Sequence, residues 1–386
     1  MLVLKTINID GDIFYQCKLD RGFEIHNESD NINVFFKNKD DIEKLSYPEV
    51  GSNDKRNYSV YSDDEVINEY NIIKAKCRML GLNYIELDDH CIAYDCGDET
   101  RITGLLELDS PKLYFKDDQD EIEWFRDKNV KSCKLKIVES IGLFENFWML
   151  RLANSIDFSK DIEYRPKKLY KGFLKCKAYK IDLTGIDIED CYSLESTFEG
   201  CRNLIWLNIS NWDTSNVESM KRMFSVCRNI KRLNLLNFST HKVKKIEGMF
   251  EYCQKLIALN TSNFDLDNTM LSSIRKMFNC CTEIKDIELG VVSLNESKSA
   301  FGIFDGTELN TIKLRIPNNN ALVTLHKLLD QYGVAKITAK LDENGKLVVS
   351  TNGKLIRISN VGEQYKITFS HYKLDENGKL ELINNG

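Results

Sequence analysis

The apolar positions in the middle of the chain recur with a period far longer than that of a helix or a strand. Phe198, Phe224, Phe250 and Phe278 each stand three residues before Cys201, Cys227, Cys253 and Cys281. The cysteines are spaced by 26, 26 and 28 residues. Three residues after each cysteine comes Leu204, Ile230, Leu256 or Ile284, and three further on Leu207, Leu233, Leu259 or Ile287. The next apolar slot holds Ile209, Leu235, Thr261 and Leu289. In three of the units Asn211, Asn237 or Asn263 then precedes Trp212, Phe238 or Phe264. The unit reads F-x-x-C-x-x-L-x-x-L-x-L-x-N-[WF]. A fixed period of this size marks a repeat architecture in which neighbouring units share one core.

Weaker copies flank these units. Phe173, Cys176, Tyr179, Ile181 and Leu183 fit with one residue deleted, and Phe304, Thr307, Leu309, Ile312 and Leu314 fit with Thr in place of Cys. Phe144, Phe147, Leu150 and Leu152 form a more degenerate unit, so about six units run over residues 140–316. The alternation that ends L-x-x-L-x-L predicts a short strand. Asp213-Thr214-Ser215-Asn216 offers helix-capping side chains, and Val217, Met220, Met223, Phe224 and Cys227 recur at helical spacing. The expectation is an α/β leucine-rich-repeat solenoid, with a parallel sheet on one face and short helices on another. An N-terminal α+β domain over 1–135 and a C-terminal helix and β-meander over 318–386 are expected to flank it.

The stretch from Leu204 to Phe224, with Trp212-Asp213-Thr214-Ser215-Asn216-Val217 and Met223-Phe224, resembles the BspA-like class of leucine-rich repeats. The resemblance is to the 26-residue form found in bacterial and mycoplasmal surface proteins. It implies a curved solenoid used for protein binding, without catalysis.

At the N-terminus, Leu2–Ile9 and Ile13–Leu19 predict strands joined at Asp10-Gly11-Asp12. Ser62-Asp63-Asp64-Glu65 predicts a helix start, and Gly81 its stop. Strands are expected over 83–87, 90–94, 102–108 and 113–115, and a loop over 49–54. At the other end, Leu322, Leu325, Leu328 and Leu329 predict a helix capped by Asn318–Asn320 and ending at Gly333. Beyond it, Lys340–Leu347 recurs as Lys373–Leu380, each with Asn-Gly between apolar flanks. With Asn352-Gly353 these turns predict five or six strands between 335 and 383.

Within L-x-x-L-x-L the residues beside the central Leu point away from the core. One outward column reads Lys180, Trp206, Arg232, Ala258, Asp286, Thr311, and the next Asp182, Asn208, Asn234, Asn260, Glu288, Lys313. Tryptophan and arginine are enriched at binding hot spots, so the expected partner-binding set is Trp206, Arg232, Asn208, Asn234 and Lys180. Two alternatives stay open: a terminal domain covers Trp206, or the register is shifted by one.

Charge enlarges that set. The chain carries a net charge of −6, unevenly spread. Residues 86–123 hold 13 acidic and 3 basic side chains, and residues 221–245 hold 8 basic and no acidic ones. The basic run adds Lys221, Arg222, Lys244 and Lys245 as contacts for a protein partner that is acidic where it binds. The overall acidity and the lack of aromatic interleaving in that run argue against nucleic acid.

Twelve cysteines raise a redox question. The N-terminus reaches Lys5 after four residues, with no export h-region and no apolar run of membrane length, so the expected location is cytoplasmic. The repeat cysteines are then expected as a buried thiol column. No cofactor, metal site or catalytic residue is expected. The densest chemical cluster, Asp88, Asp89, His90, Cys91, Asp95, Cys96 and Asp98, places neighbours on opposite faces of a strand. Three functions are weighed. The first is non-enzymatic protein recognition, as a sensor, an adaptor or a subunit of a larger assembly. The second is an enzyme or toxin whose active site lies within 1–135. The third is a surface adhesin exported without a visible signal.

Overall fold

A computed structural model describes residues 2–9, 12–18, 32–36, 58–62, 91–107, 123–138, 148–267, 270–295, 297–317, 321–329, 340–341, 347–351, 354–374 and 380–382, and 73–88 apart from 75, 78 and 79. The chain divides into two units, Met1–Asp117 with Val130–Val138, and Asp118–Asn129 with Glu139–Gly386.

In the first unit, β1 (Leu2–Ile9) and β2 (Asp12–Lys18) pair antiparallel, with Ile9 opposite Asp12. β3 (Ile32–Phe36) and β4 (Tyr58–Ser62) complete a four-stranded antiparallel sheet. Ser62, expected to cap a helix, instead ends β4. The helix ends as expected at Gly81, whose φ is +66°. The Leu82 N–H donates to the Cys77 carbonyl at 2.9 Å, which ties the last turn back on itself. β5 (Tyr84–Asp88), β6 (Cys91–Cys96) and β7 (Glu99–Glu107) run antiparallel, and β8 (Asn129–Val138) pairs parallel to β7. The expected loop at 49–54 and strand at 113–115 lie outside the described residues.

The second unit is a parallel β-solenoid of about seven turns. Except in the coil that carries residues 232–234, the alternating end of each repeat forms a strand: β9 (Ser155–Asp157), β11 (Lys180–Asp182), β12 (Trp206–Asn208), β13 (Ala258–Leu266), β14 (Asp286–Val292) and β15 (Thr311–Arg315). The two-residue β10 (Ile162–Glu163) lies between the first two. Within two ladders, β9–β11–β12 and β13–β14–β15, neighbouring strands pair in parallel through equivalent residues of successive coils. Lys180 sits beside Trp206 and Asp182 beside Asn208, while Ala258, Asp286 and Thr311 share one row. The outward columns read from the sequence therefore have the right register.

The short helices expected in the repeats do not form; residues 213–227 are a chain of turns. Alternate backbone N–H groups point along the solenoid axis. Those of Met220, Arg222, Phe224 and Val226 donate to Lys245, Glu247, Met249 and Glu251 one coil on, at 2.7–3.0 Å. The groups between them close β-turns, from Met223 to Met220, Ser225 to Arg222 and Cys227 to Phe224. This interleaving requires left-handed residues at the third position of alternate turns. Arg222 and Val226 take it with φ of 54° and 63°, and Gly200 and Gly306 occupy the place of Val226 in other coils.

The same stacking makes the core. Phe173, Phe198, Phe224, Phe250, Phe278 and Phe304 form a column with ring centroids 5.4–5.7 Å apart and planes within 13°. The thiols of Cys201, Cys227, Cys253 and Cys281 each donate to the carbonyl of the phenylalanine one coil back, at 3.0–3.1 Å. Asn211 and Asn237 donate their side-chain amides to the Thr184 and Ser210 carbonyls of the preceding coil. Asn263 donates to Leu235 and Leu236 in the same way. These amides satisfy turn carbonyls that no ladder reaches.

At the far end the sheet continues antiparallel. β16 (Lys340–Leu341), β17 (Leu347–Thr351), β18 (Lys354–Val361), β19 (Gln364–Leu374) and β20 (Leu380–Leu382) form a meander, and β19 pairs with β15. The helix Ala321–Leu329 buries Leu325, Leu328 and Leu329, and its Thr324 hydroxyl accepts the Leu294 N–H. Its expected cap at 318–320 and end at Gly333 lie outside the described residues. No helix among the described residues is long and apolar enough to cross a membrane.

Candidate functional site

The outward columns of the sheet become a site where side chains cannot pack inward. Trp206 is the first residue of β12, with 41% of its surface exposed. Lys180, beside it on β11, places its ammonium 4.8 Å from the ring centroid. This cation–π contact ties the indole to the preceding coil. Within the second unit, a shift of register is excluded as an explanation of Trp206.

Arg232 follows one coil on and is exposed. Here the sheet is interrupted: residues 232–234 join neither the ladder ending at β12 nor the one beginning at β13. Side chains at both ends hold this coil in place. Asn229 donates to the Arg202 carbonyl at 2.8 Å, and Asn237 donates to Ser210. Ile205, Trp206, Leu236 and Ile257 stand exposed around the interruption.

The other expected contacts divide by role. Asn208 donates to Asp182 at 3.1 Å, and its carbonyl oxygen accepts the Ser210 N–H. Asn234 accepts the Leu236 N–H at 3.3 Å. Both therefore shape the turn that closes the strand. Arg222 pairs with Glu199 at 2.8 Å and Lys244 with Glu218 at 2.8 Å, each joining adjacent coils on the turn side. Lys221 and Lys245 lie on that side too, and their carbonyls accept the Ser196 and Met220 N–H groups. The basic run thus splits over two surfaces. Arg228, Lys231 and Arg232 are exposed along the stretch that leads from the ladder cysteine to the sheet position, and among the described residues they carry no ion pair.

Column reading by run missed the rest of this face. Lys177, Arg202 and Arg228 each directly follow a ladder cysteine, and all three are exposed. Tyr179, Ile205, Lys231 and Ile257 stand one residue before the first outward position. The 26-residue period carries that signal, since Tyr179, Ile205, Lys231 and Ile257 recur one unit apart.

The repeat cysteines serve the core. Burial raises the thiols of Cys176, Cys227 and Cys253 well above the ordinary value, and Cys281 is pushed up to about 12. These are protonated donors, not nucleophiles. Every cysteine whose side chain is described is a free thiol. A groove of about 600 Å³ beside β15 and β19 is lined by Glu288, Lys313, Arg315, Gln364, Tyr365 and Lys366. Of the Asp88–Asp98 cluster, Asp89 and His90 lie outside the described residues. Among the described residues, no three His, Cys, Asp or Glu converge as a metal site requires.

The fold places the chain among repeat proteins built as a parallel β-solenoid. Residues 167–289 match a family described as "Mycoplasma protein of unknown function, DUF285", and so this stretch is similar to a mycoplasmal repeat family. No curated protein and no solved structure matches the chain.

Proposed function

We propose that the solenoid is a non-enzymatic scaffold for protein recognition, serving as a sensor, adaptor or subunit of a larger assembly. The observation that carries this reading is Trp206, exposed on the last strand before the sheet is interrupted, with the Lys180 ammonium against its ring. An exposed, pre-oriented indole with an arginine one coil away has the composition of a binding hot spot. A stack of coils with one outward face suits an extended partner. The 26-residue unit and the mycoplasmal family match support reading the repeats as BspA-like leucine-rich type. The free thiols, used as hydrogen-bond donors in the core, support a reducing, cytoplasmic setting.

The test is affinity purification with mass spectrometry from the native host, using the whole chain and its Trp206→Ala variant side by side. Proteins retained by the first and lost by the second, at unchanged circular dichroism, are the expected result. Identical sets from both would remove Trp206 as the recognition centre.

A further inference from the structure

The sheet face has a charge pattern that specifies its partner more closely. In four successive coils, residues 176–182, 201–208, 227–234 and 253–260 run from the ladder cysteine into the sheet position. The first contributes Lys177 and Lys180, the second Arg202, the third Arg228, Lys231 and Arg232, and the fourth Lys255. All seven side chains are exposed, and the only carboxylate in these segments is Asp182. That carboxylate is engaged by Thr184 and Asn208. Tyr179, Ile205, Trp206 and Ile257 are interleaved with the cations, each with more than 40% of its surface exposed. The next coil reverses the sign. Glu283, Asp286 and Glu288 are exposed there, and its one cation, Lys285, is tied to Glu308 at 3.2 Å.

We infer that this face binds an extended polypeptide segment rich in carboxylates and carrying apolar side chains, laid across the four basic coils and ending at the acidic one. The inference rests on the reading of the face as a protein-recognition surface and adds the partner's chemistry. Unpaired cations on a half-apolar surface attract a carboxylate-bearing chain, and its apolar side chains cover Ile205, Trp206 and Ile257. A nucleic-acid strand fits less well. Stacking of bases needs free aromatic faces, whereas Lys180 lies over Trp206 and the Tyr179 hydroxyl is held by Asn154 at 3.0 Å. A polyanion following the solenoid axis also meets Asp286 and Glu288.

The experiment uses the whole chain with three polymer probes: a glutamate–tyrosine copolymer, a lysine–tyrosine copolymer and polyuridylate. Binding is read by interferometry at low and high salt, with thermal melting of every variant. The glutamate–tyrosine copolymer is expected to bind, more weakly at high salt. Trp206→Ala and the double variant Arg232→Glu/Lys255→Glu are each expected to weaken it about tenfold or more at unchanged melting. Asp286→Asn/Glu288→Gln is expected to leave it as tight or tighter. Tighter binding of polyuridylate, no binding of the acidic copolymer, or indifference to Arg232→Glu/Lys255→Glu would overturn the inference. Binding of the lysine–tyrosine copolymer that is lost in Trp206→Ala would keep the face as a polypeptide site while removing its preference for acidic chains. Equal binding of every probe by wild type and Trp206→Ala would remove both.

Discussion

Replacing Phe224 by alanine tests whether the coils share one continuous core. The ring is fully buried and stacked 5.6 Å from Phe198 and 5.7 Å from Phe250. Truncating a buried phenylalanine costs about 3–5 kcal/mol. Each aromatic pair adds about 0.5–1.5 kcal/mol beyond buried area. Two pairs are broken here, so the expected loss is about 5 kcal/mol, comparable with the whole stability of many domains. Phe304 has one ring partner in the column, Phe278 at 5.7 Å. The same change there is expected to lose about 4 kcal/mol. Phe224→Leu keeps most of the volume and should lose only about 1–1.5 kcal/mol. Urea denaturation followed by tryptophan fluorescence reads all three, because the Trp212 ring lies 6.1 Å from that of Phe198. A loss under about 2 kcal/mol for Phe224→Ala, or one no larger than that of Phe224→Leu, would refute the stacked core.

Other consequences follow from the turns and the buried polar groups. Val226 is β-branched at φ +63°, where left-handed geometry costs about 1–2 kcal/mol, so Val226→Gly should stabilise the chain by about 1 kcal/mol in the same urea assay. Rapid thiol labelling of the native chain, mapped by mass spectrometry, should among the cysteines whose side chains are described be confined to Cys96, Cys133 and Cys280, the ones not buried. The thiols of Cys227, Cys253 and Cys281 have raised values when folded. The stability they contribute is therefore complete below the ordinary thiol value near 9 and falls as pH rises toward 12 and beyond. Lys298 has the opposite sign. Burial lowers its value from 10.5, although its ammonium donates to the Asp267 and Ser293 carbonyls at 3.2 Å. The unfolded chain then holds that proton more tightly, so stability gains from Lys298 as pH rises through its lowered value toward 10.5, and Lys298→Met should remove this part of the pH dependence of melting.

The repeat carried much of the fold in plain view. Each position in the 26-residue unit meets its own copy one coil away, so the spacing of Cys201, Cys227 and Cys253 dictates the parallel register. That is why Lys180 and Trp206, or Asp286 and Thr311, fall in the expected rows. The turn side was misread because apolar residues at 217, 220, 224 and 227 suit an amphipathic helix and a chain of interleaved turns equally well. The deciding signal was Gly200, Gly248, Gly302 and Gly306, which stand inside the proposed helices at left-handed positions. The site was legible in part. Trp206 and Arg232 emerge from the column pattern, whereas a run of charge in sequence says nothing about which side of a coil each residue faces. Hence Arg222 and Lys244 form ion pairs between coils, and Arg202 and Lys255, far from the run, join the basic face.

Recognition through the sheet face is most directly tested by the double variant Trp206→Ala/Arg232→Glu, with partner binding and thermal melting measured on the same samples. Both side chains are exposed, so the fold does not need them. The expected result is a melting temperature like that of the wild type together with loss of the partner. Loss of folding along with binding, or binding retained in full, would contradict it.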